Sequence, residues 1–294
     1  MDTRYVLITG ASKGIGRATA LYLDKQGYNV FAGVRNPADG EALRKEASSR
    51  LRPIQIDVAD QGQIKAAERQ VSQIVGEVGL AGLVNNAGIA VGAPLEFIPI
   101  DELRRQLEIN VVGQVAVTQA FLDSIRKARG RIVNVSSIGG RIAGPNLGAY
   151  HASKFALEGI TDTLRIELKR WGIEVISIEP GSIRTPIWET STALAKRLMA
   201  QMPPQFQKMY PEMAAAADRL AANSTTGGTA PEKVAEVIGR ALSSPRPRTR
   251  YLVGPDAQIA GNIIARLPDR IRDRILGGMD GPAELTNHRA TSHN

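Results

Sequence analysis

The sequence predicts an α/β domain built on a doubly wound parallel sheet of about seven strands, with helices on both faces. Three observations carry that reading. Short β-branched runs alternate with helix-like segments over the first two thirds of the 294 residues, the rhythm of repeated βαβ units. Most of those runs are continuously apolar instead of alternating, as expected for strands covered on both sides. A glycine-rich turn stands between the first run and the first helical stretch.

In chain order the strand candidates are Tyr5–Thr9, Val30–Val34, Arg52–Asp57, Gly82–Asn85, Arg131–Ser136, Glu174–Glu179 and Arg250–Val253. Helical periodicity fills Gly14–Lys25, Gln61–Val78, Asp101–Arg129, Tyr150–Arg170 and Pro231–Ser243. The interval 187–230 breaks the rhythm. It is rich in Ala, Met and Pro, follows a Pro-Gly turn at a strand end, and reads as short amphipathic helices forming a substrate lid. The alternative is ordinary packing, with its methionines filling core gaps. Residues 1–255 are thus expected to form one catalytic domain, lid included, and 256–294 a partly flexible C-terminal extension.

Composition excludes several classes of function. Cysteine is absent, which removes a disulfide scaffold, a thiol nucleophile and a thiolate metal site. Of three histidines, His288 and His293 lie in the tail beyond Gly277 and only His151 lies within the body, so a histidine-built metal site is not expected. Val6-Leu7-Ile8 is far too short to cross a bilayer, no stretch approaches ~20 apolar residues, and no leader is visible. The expected location is cytoplasmic. The net charge of +8 gathers around Arg246–Arg250 and Arg266–Arg274. Without interleaved aromatics it reads as solvated surface, and no nucleic-acid partner is expected.

The first strand runs into Thr9-Gly10-Ala11-Ser12-Lys13-Gly14-Ile15-Gly16, and a helix follows at once. Glycines there permit a tight turn and close backbone approach to a pyrophosphate, which the free N–H groups of the helix N-terminus then receive. The spacing is G-x-x-x-G-x-G, not the commoner G-x-G-x-x-G. At the second strand's end stands Arg35 where an acid would bind the ribose hydroxyls of NAD. A guanidinium instead suits a 2′-phosphate, and Lys13 adds a second cation.

Tyr150 and Lys154 form Tyr-x-x-x-Lys, which on a helix places both on one face. A phenol of pKa ~10 is a poor base at neutral pH, and a neighbouring ammonium is expected to lower that value. Ser137 follows the apolar strand thirteen residues earlier, at the strand end where ligands of open α/β sheets collect. Only one of Ser136 and Ser137 is expected to face the cleft, with Ser137 favoured. Asn110 interrupts a long helical segment that it suits poorly, which suggests a bend.

These motifs together resemble the short-chain dehydrogenase/reductase family, over about residues 3–255. The glycine motif, Asn85-Asn86-Ala87-Gly88, Tyr-x-x-x-Lys and Pro180-Gly181 occur in the family's order, and the feel is closest to steroid- and retinol-dehydrogenase-like members. The resemblance implies a single-domain Rossmann fold and NADP(H) as cofactor. It implies catalytic roles for Asn110 (a water-linked proton relay with Lys154), Ser137, Tyr150 and Lys154. Cofactor contacts are implied for Gly10, Ser12, Lys13, Gly14, Ile15, Gly16, Arg35, Asp57, Val58, Asn86, Ala87, Gly88, Tyr150, Lys154, Pro180, Gly181, Ile183 and Thr185. It further implies pairing through the two long helices into a dimer or tetramer.

Substrate is read from the loops. Ile138, Ile142, Leu147, Ile187, Trp188, Leu194, Met199, Met202, Phe206 and Met209 offer an apolar lining, suited to a hydrophobic alcohol or carbonyl of steroid-, retinoid- or lipid-like kind. A fatty-acyl or xenobiotic carbonyl is the nearest alternative. A sugar-nucleotide epimerase is disfavoured by the compact substrate region and the motifs. A catalytically silent NADP-sensing regulator is disfavoured by the intact Asn/Ser/Tyr/Lys set.

Overall fold

A computed structural model of the chain describes residues 3–215, 217, 218, 222 and 227–277. Seven strands form one sheet in the order β3-β2-β1-β4-β5-β6-β7. They are β1 (Tyr5–Ile8), β2 (Asn29–Val34), β3 (Leu51–Gln55), β4 (Gly82–Asn85), β5 (Arg131–Val135), β6 (Glu174–Pro180) and β7 (Arg250–Val253), and every pairing is parallel. The order reverses between β1 and β4, so a crevice opens at their C-terminal ends, where ligands of such sheets bind.

Each face of the sheet has its own core. Helices α1 (Gly14–Lys25) and α2 (Pro37–Arg44) cover one face, together with the helix at Pro231–Ser243; Leu23, Leu43, Val234 and Ile238 pack there on Val6, Val30 and Val133. On the other face lie α3 (Gln61–Val75), α5 (Gly113–Ala128) and α6 (Gly148–Leu168), whose Val71, Phe121 and Leu168 meet Leu7, Phe31 and Ile132. Double coverage is why the strands read as apolar runs.

The structure alters the expected elements in four places. The helix expected over Asp101–Arg129 is two helices, α4 (Ile100–Leu107) and α5, joined by a π-helical turn at Glu108–Val112 that holds Asn110. A helix not foreseen, α2, starts where Asn36 Oδ1 accepts from Ala38 N with Pro37 in the first turn. β3 ends before Asp57, whose carboxylate instead accepts from Ala59 N in the following turn. Beyond β7, residues 255–277 hold two further helices that the sequence reading did not delineate, at Pro255–Asn262 and Asp269–Gly277. The remaining tail, expected to be loose, lies outside the described residues.

The interval 187–230 contains α7 (Ile187–Met199) and α8 (Pro204–Met209). Numbered onward in chain order, Pro231–Ser243 is α9, Pro255–Asn262 is α10 and Asp269–Gly277 is α11. Among the described residues, no helix is long and apolar enough to cross a membrane.

Candidate active site

The crevice at the switch point is a cleft of about 310 Å³. At the end of β1, the Thr9 hydroxyl accepts from Asn86 N and Ala87 N at 3.0 Å each. Asn86 Nδ2 returns hydrogen bonds to Thr9 O at 2.9 Å and Gly10 O at 3.1 Å. The two strand ends are therefore locked side by side, which holds the glycine turn in place. Gly10 has φ of +65°, and a Cβ there would stand 2.8 Å from Ala87 Cα. A Cβ on Gly14 would meet Thr185 Cγ2 at 3.0 Å, so the turn also abuts the segment after β6.

Of the expected cofactor residues, all but Gly16 line the cleft. A Cβ on Gly16 would collide with Gly10 O and Asn86 Nδ2, so this glycine lets helix pack on turn. Lys13 and Arg35 border the cleft as exposed cations, and Asp57 and Val58 close it from beyond β3. The far end is made by Pro180, Gly181, Ile183 and Thr185. Two distant segments pin that end. Thr229 N donates to Ser182 O at 2.9 Å and Thr229 O accepts from Arg184 N at 3.0 Å, while Asp256 Oδ2 accepts from Ser182 N at 2.6 Å. Neither Thr229 nor Asp256 was legible as a site residue, since each lies far off in sequence.

Ser137, Tyr150 and Lys154 border the same cleft. Ser137 Oγ caps a short 3-10 turn, accepting from Gly139 N at 3.0 Å, and its hydroxyl favours the ionised form of the Tyr150 phenol. Burial pushes the Tyr150 phenol above its ordinary value, and the Ser137 bond pulls it back only in part. Lys154, expected to lower it, is not among the causes of that shift. The Lys154 ammonium donates instead to Val135 O at 2.8 Å, and stands 5.8 Å from the Tyr150 ring centre. Burial lowers the pKa of Lys154 itself to about 8, opposed by the charge of Glu158.

Ser136 borders the cleft as well, with a buried Oγ that finds no partner among the described residues. Both serines reach the site, because the strand ends there and the chain turns at Ser137. His151 was passed over in the sequence. Its Nε2 accepts from Gly144 N at 3.1 Å, so Nδ1 carries the hydrogen donated to Gly139 O at 3.0 Å. Burial lowers its pKa, which keeps the ring neutral in that bridging role.

Asn110 is not in the cleft wall. It is 1% exposed, and its amide accepts from Ile89 N at 2.9 Å and donates to Ile89 O and Ser153 Oγ at 3.0 Å each. Among the described residues, none of its hydrogen bonds reaches Lys154. Of the expected substrate contacts, Ile187, Trp188 and Leu194 line the cleft, and the Trp188 ring meets Tyr150 edge-on at 6.3 Å. Met199, Met202 and Phe206 do not. They pack with Val91, Ala93 and Ile98 in a third apolar cluster, while Met209 is exposed. Ile138, Ile142 and Leu147 likewise stand outside the lining, where Thr190, Ser191 and Arg105 appear instead.

The family model described as short chain dehydrogenase matches residues 4–195. Retinol dehydrogenase 5 of Mus musculus is 39% identical over 280 residues, 92% of this chain and 87% of the relative. The 17-beta-hydroxysteroid dehydrogenase type 6 of Bos taurus is 38% identical over 94% of this chain and 88% of its own. An NADPH-dependent 3-dehydrocapnine reductase of Ornithobacterium rhinotracheale is 34% identical over 93% and 96%. Among solved structures, a short chain dehydrogenase from Burkholderia cenocepacia in complex with NADP superposes with a TM-score of 0.71. It is 25% identical, covering 93% of this chain and 97% of that one. The chain belongs to the short-chain dehydrogenase/reductase family and is an oxidoreductase of the steroid- and retinol-dehydrogenase-like kind.

Proposed function

We propose that the protein is an NADP(H)-dependent oxidoreductase that interconverts a hydrophobic alcohol and its carbonyl, with Tyr150 exchanging the proton. One observation carries this reading: Ser137, Tyr150 and Lys154 border the same cleft as the glycine turn and the paired cations Lys13 and Arg35. The turn's lack of side chains leaves room for a pyrophosphate, and Lys13 and Arg35 suit a 2′-phosphate. Among relatives, the 3-dehydrocapnine reductase is named for NADPH dependence, and the Burkholderia cenocepacia structure holds NADP.

When bound, the nicotinamide supplies or accepts a hydride. Everything else falls to the chain. In the reductive direction the Tyr150 hydroxyl donates its proton to the carbonyl oxygen as that oxygen gains electrons. Ser137 orients the oxygen from the strand end. Burial favours this direction of proton chemistry, because it keeps the phenol in its neutral, donating form. Lys154 holds positive charge beside the phenol as it loses its proton, and Asn110 enters as the outer end of a water-linked path to Lys154, the role the family resemblance assigns.

The substrate side supports an apolar molecule. Ile89, Ile187, Trp188 and Leu194 line the cleft, and two relatives are named for retinol and a hydroxysteroid. A steroid-, retinoid- or lipid-like alcohol fits this wall, and residues 187–230 act as its lid over a single catalytic domain. Self-association would run through α5 and α6, where Phe155 and Ile166 are exposed.

The test is consumption of NADPH across a panel of hydrophobic ketones and aldehydes, followed optically. We expect turnover with several, and Tyr150→Phe should lower it by about 10²–10⁴-fold while NADPH still binds. Substantial activity in that variant would sink the proton-donor role. Binding of NADPH without any turnover would favour a regulator.

A further inference from the structure

Below the catalytic face lies a set of buried and half-buried charges that the reaction just described does not use. Glu158 follows Lys154 by one turn of α6, so both side chains share a helix face. Both are buried, at 8% and 6% exposed. Glu158 Oε1 accepts from Ser177 Oγ at 2.5 Å, and Oε2 accepts from Arg250 Nε at 3.1 Å. Arg250, from β7, also reaches Asp162 Oδ1 at 2.6 Å and Glu179 Oε1 at 3.3 Å. Glu179 is fully buried on β6, immediately before Pro180, and its Oε2 lies 2.5 Å from Arg141 Nε. Arg141 follows the turn after Ser137. Helix, two strands and that turn therefore meet at one cluster. Gly140 closes over it, since a Cβ there would stand 3.0 Å from both Glu158 Cγ and Lys154 O.

Stability alone is a weak reason for such a cluster. Burying paired charges costs desolvation that a well-packed apolar group would avoid. Its position against Lys154 supplies a better one. Burial disfavours the ammonium, and the carboxylate one turn away favours it. The remaining charged and titratable groups that face this pair are Tyr150, Asp162 and Arg165 on α6, Glu179 on β6, Arg250 on β7 and Arg141 from the turn. Arg250 is shared among three carboxylates, so it does not cancel the field of Glu158 at Lys154.

We propose that Glu158 is a positioning residue for proton transfer: anchored by Ser177 and Arg250, its carboxylate keeps Lys154 charged beside Tyr150. This rests on the reading of Tyr150 and Lys154 given above. The experiment is the pH profile of kcat/KM for carbonyl reduction at saturating NADPH. E158Q should move the alkaline limb down by about half to one pH unit, with the Kd of NADPH changed less than about twofold. E158D, which restores the charge, should bring the limb back to within about 0.3 unit of the parent. If E158Q does not fold, S177A replaces it. That variant loosens one anchor of the carboxylate and should shift the limb in the same direction by less. An unshifted limb in folded E158Q, or in S177A where E158Q does not fold, overturns the proposal, even if thermal stability falls. The two readings fail separately. Activity retained by Y150F removes the proton-donor assignment, whereas an inactive Y150F with an unshifted limb removes only the role of Glu158.

Discussion

At the scale of single residues, the site is a contest between burial and charge. Tyr150 is buried enough for desolvation to outweigh the pull of the Ser137 hydroxyl, so its phenol is pushed above its ordinary value. Arg35 is the opposite case, an exposed cation whose interest lies in what it would meet. A 2′-phosphate beside it gains charge-assisted hydrogen bonds worth about 1.5–3 kcal/mol, while an acid there would accept from ribose hydroxyls and repel the phosphate. Arg35→Asp should therefore lower the kcat/KM ratio of NADPH over NADH by at least about tenfold. Steady-state kinetics with both coenzymes decides it, and an unchanged ratio removes Arg35 as the phosphate ligand. The candidate residues Ser137, Tyr150 and Lys154 were legible because each belongs to a short motif with a chemical reason for its spacing. His151 and Asp256 were not, because their work is to hold backbone groups that sequence does not place.

At the scale of elements, the bend at Asn110 is the instructive case. Gln106, Asn110 and Gln114 recur every four residues along what reads as one helix. All three are buried, and they serve the backbone that follows β4. Gln106 binds Ile89 O and Val91 N at 2.8 Å each, Asn110 binds Ile89, and Gln114 donates to Ala87 O. That ladder of amides satisfies polar backbone inside the molecule, where an unpaired group would cost about 1–3 kcal/mol. The π-turn sits in its middle. Asn110→Leu and Gln106→Leu should each lower the unfolding free energy by about 1–3 kcal/mol in urea titration. Only Asn110→Leu should also depress kcat, by about tenfold or more, if the water path to Lys154 passes through it. Equal kcat in the two variants would leave Asn110 a structural residue.

At the scale of the whole molecule, the C-terminal segment changes meaning. Sequence suggested an appendage beyond residue 255, yet Asp256 in the first turn of α10 accepts from Ser182 N and fills the space beside Gly181. The helix after the last strand thus supports the turn that borders the cleft. The same scale governs assembly. Ile166 is 73% exposed and Phe155 46% exposed on α6, apolar surface that a lone protomer leaves in water. Light scattering should give two or four times the 31.6 kDa of one chain, and Ile166→Glu should shift the mass toward one. A monomeric parent protein at micromolar concentration would overturn pairing through these helices.

The sequence by itself determined the sheet, the glycine turn and the Ser137, Tyr150 and Lys154 set, because apolar runs, turn glycines and a four-residue helical spacing are local signals with local causes. It overreached with the methionines after Thr185. Amphipathic spacing shows that Met199 and Met202 have something apolar to face, but not whether that is substrate or the core around Val91 and Ile98. Only the tertiary structure decided such matters. It set which buried face each side chain meets, how Glu158, Glu179, Arg141 and Arg250 converge from four segments, and which backbone groups Asp256 and His151 hold. Those outcomes depend on contacts such as that between Arg250 and Glu158, 92 positions apart, and no periodicity within a segment carries information at that range.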